Sequence, residues 1–185
     1  PDVCRILEDA GMRAVSVHGR TRAQGYKGDA NWEIIDQCAR TVSIPIIGNG
    51  DIASGDDLKR RKEQSAVSGV MIGRAAMQNP WVFREAKHFL ETGTPLPPVP
   101  VPERWHLIRR HCRLAIDSGR YGNERQTMMA MRSRLMSYCR GFPGAKPLRQ
   151  QLTSVSSLAE LDDIIADSLK RVARRPEPSA FLAKE

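Results

Sequence analysis

Six residues that can bind or orient a ligand lie at or just beyond the ends of three short apolar segments: His18, Asn49, Gly50, Asp51, Gly73 and Arg74. Glycine lets the backbone approach a phosphate closely, and a neighbouring arginine offers a planar set of donors to the phosphate oxygens. Asn and Asp side chains tolerate turn geometry and can accept hydrogen bonds from polyol hydroxyls. The two glycine-bearing segments therefore predict a site for a phosphate-bearing cofactor.

Each of these signals also has a simpler interpretation. His18 can hydrogen-bond a cofactor ring or carry a proton, or it can be a loop histidine without a function. Segment 49–51 can be an ordinary turn. Arg20 and Arg22 can bind phosphates or pair with a surface carboxylate such as Asp29. The repetition of the glycine turn at two successive strand ends favours the cofactor site.

The elements that position these residues are predicted by apolar spacing and by turn residues. The spacing predicts strands at 13–18, 44–47 and 67–72, and helices at 1–11, 31–38, 54–64 and 81–90. Largely apolar strands that alternate with helices indicate a parallel sheet covered on both faces. In such a sheet the carboxyl ends of the strands meet at one edge, where ligands bind.

The composition changes after residue 91. Segment 92–102 holds five prolines in eleven residues, which predicts a stiff, extended linker. Beyond it the pattern is helical, with predicted helices at 103–118, 124–139, 145–152 and 157–173. The spacing of Met128, Met131, Leu135 and Tyr138 predicts the core-facing side of one of these helices.

Three strands cannot close a barrel, and an eight-stranded barrel of alternating strands and helices needs about 250 residues. The chain also begins inside a predicted helix, at Pro1 rather than at Met. We therefore expect an α/β fold that is the C-terminal part of a TIM (β/α)8 barrel, followed by a small all-helical domain. Residues 1–91 would be the last three βα units, 92–102 the linker and 103–185 the helical domain, with the first five units in a preceding part of a longer protein.

The net charge of +8 is concentrated in the helical part. Residues 104–149 contain 11 Lys and Arg but only 2 Asp and Glu. One charge sign concentrated in one domain favours a polyanionic partner, most often a nucleic acid. Arginine also grips phosphates and stacks on unpaired bases, which suits a folded RNA. The candidate RNA-binding residues are Arg125, Arg132, Arg134, Arg140, Lys146 and Arg149, and the alternative for such a run is a solvated helix face.

The composition gives no support to several other classes. No apolar run approaches the roughly 18–20 residues of a membrane span, and the N-terminus does not resemble a signal peptide. The four cysteines, Cys4, Cys38, Cys112 and Cys139, are widely spaced, which predicts reduced thiols and no metal site. We expect a cytoplasmic protein without a membrane or metal partner.

Four segments, in order, resemble the flavin-dependent tRNA-dihydrouridine synthases, most closely the bacterial B-type. They are HGRTRAQGYKGDANW at 18–32, IGNGDI at 47–52, MIGRAAMQNPW at 71–81 and MRSRLMSYCRGFPGA at 131–145. The last of these matches the C-terminal helical domain of that family. Several long motifs in register over nearly the whole chain are far more specific than a single glycine turn.

The resemblance implies an FMN-containing barrel that reduces uridine in tRNA to 5,6-dihydrouridine, with NADPH as the electron source. On this interpretation His18 contacts the flavin ring region, and Asn49, Gly50 and Asp51, with Gly73 and Arg74, hold the ribityl phosphate. The partner would be tRNA, bound by the basic helical domain.

The resemblance also implies that part of the site lies outside this chain. The general acid of the family is a cysteine on an earlier loop, and a lysine that contacts the flavin also lies upstream. None of the four cysteines here has that context, so we expect no catalytic residue in this chain and no catalysis by it alone. Two alternatives stay open: an FMN barrel oxidoreductase acting on a small molecule, and a non-catalytic RNA-binding remnant.

Overall fold

The computed structural model describes residues 1–142 and 144–174. The chain divides into two compact units, of which the first is Pro1–Pro97 and the second begins at Pro98. The division falls inside the proline-rich segment, where the sequence predicts a linker.

The first unit alternates helices and strands. Its elements are α1 (Asp2–Asp9), β1 (Val15–His18), α2 (Trp32–Thr41), β2 (Ile46–Asn49), α3 (Gly55–Gln64), β3 (Gly69–Met71), α4 (Arg74–Gln78) and α5 (Val82–Thr92). The predicted alternation is confirmed, with one additional element. Helix α4 has only five residues, which is too short for a hydrophobic period to predict it.

The three strands form one parallel sheet in the order β1-β2-β3. His18 is paired with Asn49, and Asn49 is paired with Met71. The carboxyl ends of all three strands therefore lie side by side at one edge of the sheet. This register brings together the predicted site residues, which are separated by up to 56 positions in the sequence.

Local capping explains where two of the helices begin. The Asn31 side chain accepts a hydrogen bond from the Ile34 N–H at 3.1 Å, and the Ser54 hydroxyl accepts one from the Asp57 N–H at 3.1 Å. Both bonds satisfy donors that the first turn of a helix leaves unpaired. The apolar sides of these helices cover the sheet, with Ile35 of α2 fully buried.

Four helices make up the described part of the second unit. They are α6 (Val101–Asp117), α7 (Glu124–Tyr138), α8 (Ala145–Leu152) and α9 (Leu158–Ala173). Asn123 and Gln126 form a reciprocal capping box at the start of α7. Residues 175–185, the end of the predicted helical domain, lie outside the described residues.

The extended linker is shorter than predicted. Helix α5 continues to Thr92, and Gly93 ends it in the left-handed conformation with φ 73°. Helix α6 begins at Val101, so Pro102 lies in its first turn. Proline fits there because the first N–H groups of a helix have no intrahelical acceptor and the fixed φ of proline is already helical.

The core of the second unit is built around α7, and the predicted core face of this helix is confirmed. Met128, Met131, Leu135 and Tyr138 are all at least 93% buried. Trp105 of α6 packs edge-on against Phe142, with the ring centroids 5.1 Å apart.

Some features are absent from the part of the chain that the structure describes. Within residues 1–142 and 144–174 no helix is both long enough and apolar enough to cross a membrane. The same residues contain no group of three or more potential metal ligands. All four cysteines are free and buried.

Candidate functional site

A cavity of about 600 Å³ opens in the first unit where the three strands end. Its lining includes all six residues of the predicted cofactor site: His18, Asn49, Gly50, Asp51, Gly73 and Arg74. Tyr26, Met71 and residues of α4 complete much of the wall. The parallel register thus assembles one concave surface from three separate segments of the chain.

His18, the last residue of β1, is hydrogen-bonded to the end of the neighbouring strand β2. Its Nδ1 lies 3.1 Å from the backbone oxygen of Asn49, which also accepts the Gly19 N–H at 2.9 Å. A carbonyl oxygen only accepts hydrogen bonds, so Nδ1 carries the proton in this pair. In the neutral ring Nε2 is then the nitrogen that can accept a bond from a ligand.

The Asn49 side chain links the ends of β2 and β3 through a hydrogen bond. Its Nδ2 donates to the backbone oxygen of Met71 at 2.6 Å, which fixes the orientation of the amide. The side-chain oxygen of Asn49 is left as an acceptor at the cavity.

Gly50 occupies a position that only glycine fits. Its φ is 141°, in the region that L side chains rarely adopt, and a Cβ built there would overlap the Ala30 methyl. The Gly50 oxygen accepts the indole N–H of the buried Trp32 at 2.9 Å. The loop after β2 is therefore held against Trp32, the first residue of α2, and against Ala30 just before that helix.

The carboxylate of Asp51 is the centre of an ionic network. Arg20 donates to its two oxygens at 2.8 and 2.7 Å, the Ala30 N–H donates at 2.7 Å and Arg74 donates at 3.1 Å. Asp51 is also the one described non-glycine residue with a positive φ, 50°. The hydrogen bonds from Arg20, followed by that from Ala30, hold the pKa of Asp51 below its ordinary value despite partial burial.

This network shows the partner of Arg20. The sequence leaves phosphates and surface carboxylates such as Asp29 open as its partners, whereas the structure pairs Arg20 with Asp51, 31 positions away. The Arg20 side chain is only 4% exposed, so it lies behind the cavity wall rather than on the surface.

Arg74 is the cationic side chain on the cavity wall. Its side chain is 48% exposed, and its guanidinium lies over the ring of Tyr26 at 4.5 Å from the centroid. One Nη donates to Asp51, which leaves donors of the guanidinium to face a ligand. A Cβ added at the neighbouring Gly73 would meet no atom within 4 Å, so there is open space beside this backbone.

The arrangement suits an anionic group of phosphate size. Two glycine-bearing loops and one arginine converge, and a positive charge on the wall is balanced only in part by Asp51. Arginine binds phosphate through charge-assisted hydrogen bonds, which are stronger than neutral ones. An imidazole nitrogen and an amide oxygen at the same edge can bind polar atoms of an attached ring or polyol.

The predicted RNA-binding residues of the second unit have different environments. The exposed ones in the structure are Arg125, Arg134, Arg140, Lys146 and Arg149. Arg132 is half-buried and donates to the backbone oxygens of Val155 and Ser154 at 3.0 and 2.9 Å. Arg132 therefore stabilises the connection between α8 and α9.

Part of the positive charge in residues 104–149 is paired with an acidic residue that lies outside this stretch. Arg109 forms a two-pronged ion pair with Asp162, at 2.6 and 3.0 Å. Asp162 lies in α9, outside the stretch in which the charges were counted. Part of the excess positive charge is thus neutralised from a distant segment of the sequence.

A comparison with known protein families identifies the family to which this chain is similar. The family described as "Dihydrouridine synthase (Dus)" matches residues 1–174. The chain belongs to the dihydrouridine synthase family.

Individual Dus relatives agree with this assignment. The chain is 42% identical to "tRNA-dihydrouridine synthase B" of Pseudomonas aeruginosa over 80% of this chain and 44% of that protein. It is 31% identical to "Probable tRNA-dihydrouridine synthase" of Rickettsia bellii over 95% of this chain and 53% of that protein. The chain spans about half the length of the curated relatives it matches.

The cysteines of this Dus chain lie away from the cavity. None of the four lines it, and each is buried in a core. Burial raises the pKa of Cys112 to about 11 and that of Cys139 to about 12. These thiols pack as apolar groups, and the structure places no thiol beside the candidate site.

The structure also shows contacts that the sequence does not predict. Arg20 binds Asp51, and Tyr26 lies under the guanidinium of Arg74; the signal available for Tyr26 is its position within the 18–32 motif. In the second unit, the Nδ1 of His111 lies 2.9 Å from the Tyr138 hydroxyl. Burial, and to a smaller extent Arg134, lowers the pKa of His111. No sequence spacing links His111 to Tyr138.

Proposed function

We propose that this chain is the FMN-phosphate-binding and tRNA-binding part of a tRNA-dihydrouridine synthase. The observation that carries the proposal is the convergence of Gly50, Gly73 and Arg74 on one cavity at the carboxyl ends of parallel strands. Such strand ends hold the ligands of α/β barrels. The names of the Dus relatives support the same activity.

The proposed fold is the C-terminal part of a TIM (β/α)8 barrel, comprising its last three βα units, followed by a small helical domain. The parallel sheet of three strands supports the first part, and helices α6–α9 support the second. On this proposal residues 1–91 bind FMN, 92–102 connect and 103–185 bind tRNA.

The cavity residues fit the phosphate and polyol of FMN. Open space beside Gly73 leaves room for an anion, and the loop at Gly50 is held in a conformation that brings its backbone to the cavity. Arg74 would donate to the phosphate, with Asp51 orienting Arg74. His18 and Asn49 would bind and orient the flavin ring region and the ribityl chain.

FMN, when bound and reduced with electrons from NADPH, would supply the hydride for reduction of the uracil ring. The residues of this chain would hold that group at its phosphate end. We propose no residue of this chain as the proton donor, since no cysteine lies at the cavity.

The second unit supplies the proposed surface for tRNA. Arg125, Arg134, Arg140, Lys146 and Arg149 are exposed on it, and cationic side chains bind phosphates by displacing counterions. Chemistry on a base requires that the base leave its stack, so the RNA must be held while the base is extruded. Free thiols fit a reducing compartment, and we propose the cytoplasm as the site of action.

Replacing Arg74 with alanine tests the flavin site. In the native full-length protein we expect FMN affinity to fall by about 10-fold to 100-fold, the effect of losing a charge-assisted bond of about 1.5–3 kcal/mol. Riboflavin, which has no phosphate, should bind the variant and the wild type equally. Titration followed by flavin fluorescence measures both affinities.

The matched control is Arg60→Ala, which removes the same charge from an exposed ion pair with Asp57 in α3. Arg60 does not line the cavity, so FMN affinity should stay unchanged. Equal FMN affinity of the Arg74→Ala variant and the wild type would contradict the site. Tight tRNA binding with no flavin affinity in the wild type would favour the RNA-binding remnant.

The tRNA surface is tested by Arg134→Ala and Arg149→Ala. Each substitution should weaken tRNA binding and reduce the slope of log K against log salt by about 1, because each removes one phosphate contact. Arg109→Ala is the control, since Asp162 already neutralises that arginine. Binding measured at several salt concentrations separates these two variants from the control. Unchanged slopes in both Arg134→Ala and Arg149→Ala would exclude this surface as the tRNA site.

A further inference from the structure

A buried arginine lies behind the cavity wall, where it touches no part of the cavity itself. The Arg20 side chain is 4% exposed and is absent from the cavity lining. Its two Nη atoms bind both oxygens of Asp51, and one of them also donates to the Gly28 oxygen at 2.6 Å. A charge buried this deeply is unfavourable unless it is paired, so the burial of Arg20 requires its ion pair with Asp51.

The charges at the cavity wall explain the effect of the Arg20–Asp51 ion pair. Asp51 and Arg74 both line the cavity, and they are 3.1 Å apart. Alone, these two charges would cancel, and the carboxylate would repel an incoming phosphate. With Arg20 behind Asp51, the three groups together carry one net positive charge.

The same contacts fix the geometry of two loops. Asp51 has a positive φ of 50°, a conformation that Asp adopts more readily than most L residues and that its hydrogen bonds hold in place here. Arg20 holds its carboxylate from one side, and the Ala30 N–H donates to it at 2.7 Å from the loop that precedes α2. The Asn31 N–H donates to the Gly19 oxygen at 2.7 Å and closes that loop on itself.

We propose that Arg20 is a positioning residue of the phosphate subsite. It neutralises Asp51 from behind, so that Arg74 presents an uncompensated positive charge to the phosphate monoester of a cofactor. It also fixes the loop after β2, which carries Gly50, in its binding conformation. This inference rests on the proposed flavin site and assigns a role to a residue that never contacts the ligand.

The test compares two ligands that differ only in the phosphate. In the native full-length protein, Arg20→Gln should lower FMN affinity at least tenfold while changing riboflavin affinity less than threefold. Asp51 would then be balanced by Arg74 alone, which leaves no net positive charge at the wall for the phosphate. A purely structural loss would weaken the binding of both flavins together.

Rescue by a second substitution makes the test specific for charge. In Arg20→Gln/Asp51→Asn the carboxylate is removed, and FMN affinity should recover by at least threefold over Arg20→Gln. Arg20→Lys keeps the charge but loses the bidentate geometry. Its FMN affinity should therefore lie between those of the wild type and Arg20→Gln. Thermal unfolding of each variant checks that it is folded, and Arg20→Lys carries the comparison if Arg20→Gln does not fold.

The outcomes separate the two proposals. A wild-type protein that binds FMN no more tightly than riboflavin would overturn the phosphate site and with it the role of Arg20. A wild type that prefers FMN, with variants that lose both flavins equally or with no rescue by Asp51→Asn, would overturn the role of Arg20 alone.

Discussion

Replacing Gly50 with alanine is expected to lower the free energy of unfolding by about 3 kcal/mol. Two costs combine at this residue. Its φ of 141° strains any L side chain, and the added methyl would overlap the methyl of Ala30. Neither can relax easily, because the Gly50 oxygen is bound by the indole of the buried Trp32. Denaturant unfolding followed by circular dichroism measures the change.

Gly73→Ala is the matched control for this prediction. It makes the same substitution in the other glycine-bearing loop, but φ there is −98° and the new methyl would meet no atom within 4 Å. Its ψ of −98° is unusual for an L side chain, so the cost should be about 1 kcal/mol, well below that of Gly50→Ala. Two variants of equal stability would show that the loop at Gly50 is free to adjust.

Replacing Trp105 with alanine should destabilise the second unit by about 3–5 kcal/mol, the usual cost of removing a large buried aromatic side chain. Trp105 is 1% exposed and packs edge-on against Phe142. Its indole N–H donates to the hydroxyl of the buried Ser168 at 3.0 Å, which connects α6 to α9. The substitution therefore leaves a cavity and an unpaired polar group together. Thermal unfolding monitored by far-ultraviolet circular dichroism reports the loss of helix.

Leu114→Ala serves as its control, since Leu114 lies on the same helix and is 56% exposed. This variant should stay within about 0.5 kcal/mol of the wild type. Ser168→Ala should cost only about 1 kcal/mol, because it removes the acceptor without opening a large cavity. If Trp105→Ala were as mild as Leu114→Ala, the helical core would not depend on this side chain.

Local signals predicted the elements well. The predicted helix at 145–152 is α8, residue for residue, and the capping residues Asn31 and Ser54 begin the helices that the sequence places there. These features depend on side chains within a few positions of each other. The parallel sheet could also be predicted, because apolar strands separated by helices have few other ways to bury their faces.

The hydrogen bonds and ion pairs of the site could not be predicted, because they join distant segments of the chain. Arg20 and Asp51 are 31 positions apart, and nothing in either segment indicates that one neutralises the other. Sequence spacing likewise gives Arg132 and Arg134 the same role, whereas Arg132 turns back to the oxygens of Ser154 and Val155. The direction of a long side chain is decided by the acceptors that the fold places near it.

The burial of all four cysteines of this chain has a practical consequence for biophysical work on it. Thiol reagents react with exposed thiolates, and each of these four thiols is enclosed, with the pKa values of Cys112 and Cys139 raised well above neutrality. A cysteine introduced at an exposed helix position, such as Glu63 in α3 or Gln150 in α8, would react far faster than any of the four. A dye or spin label can therefore be attached to this chain at one chosen position with its four cysteines left in place.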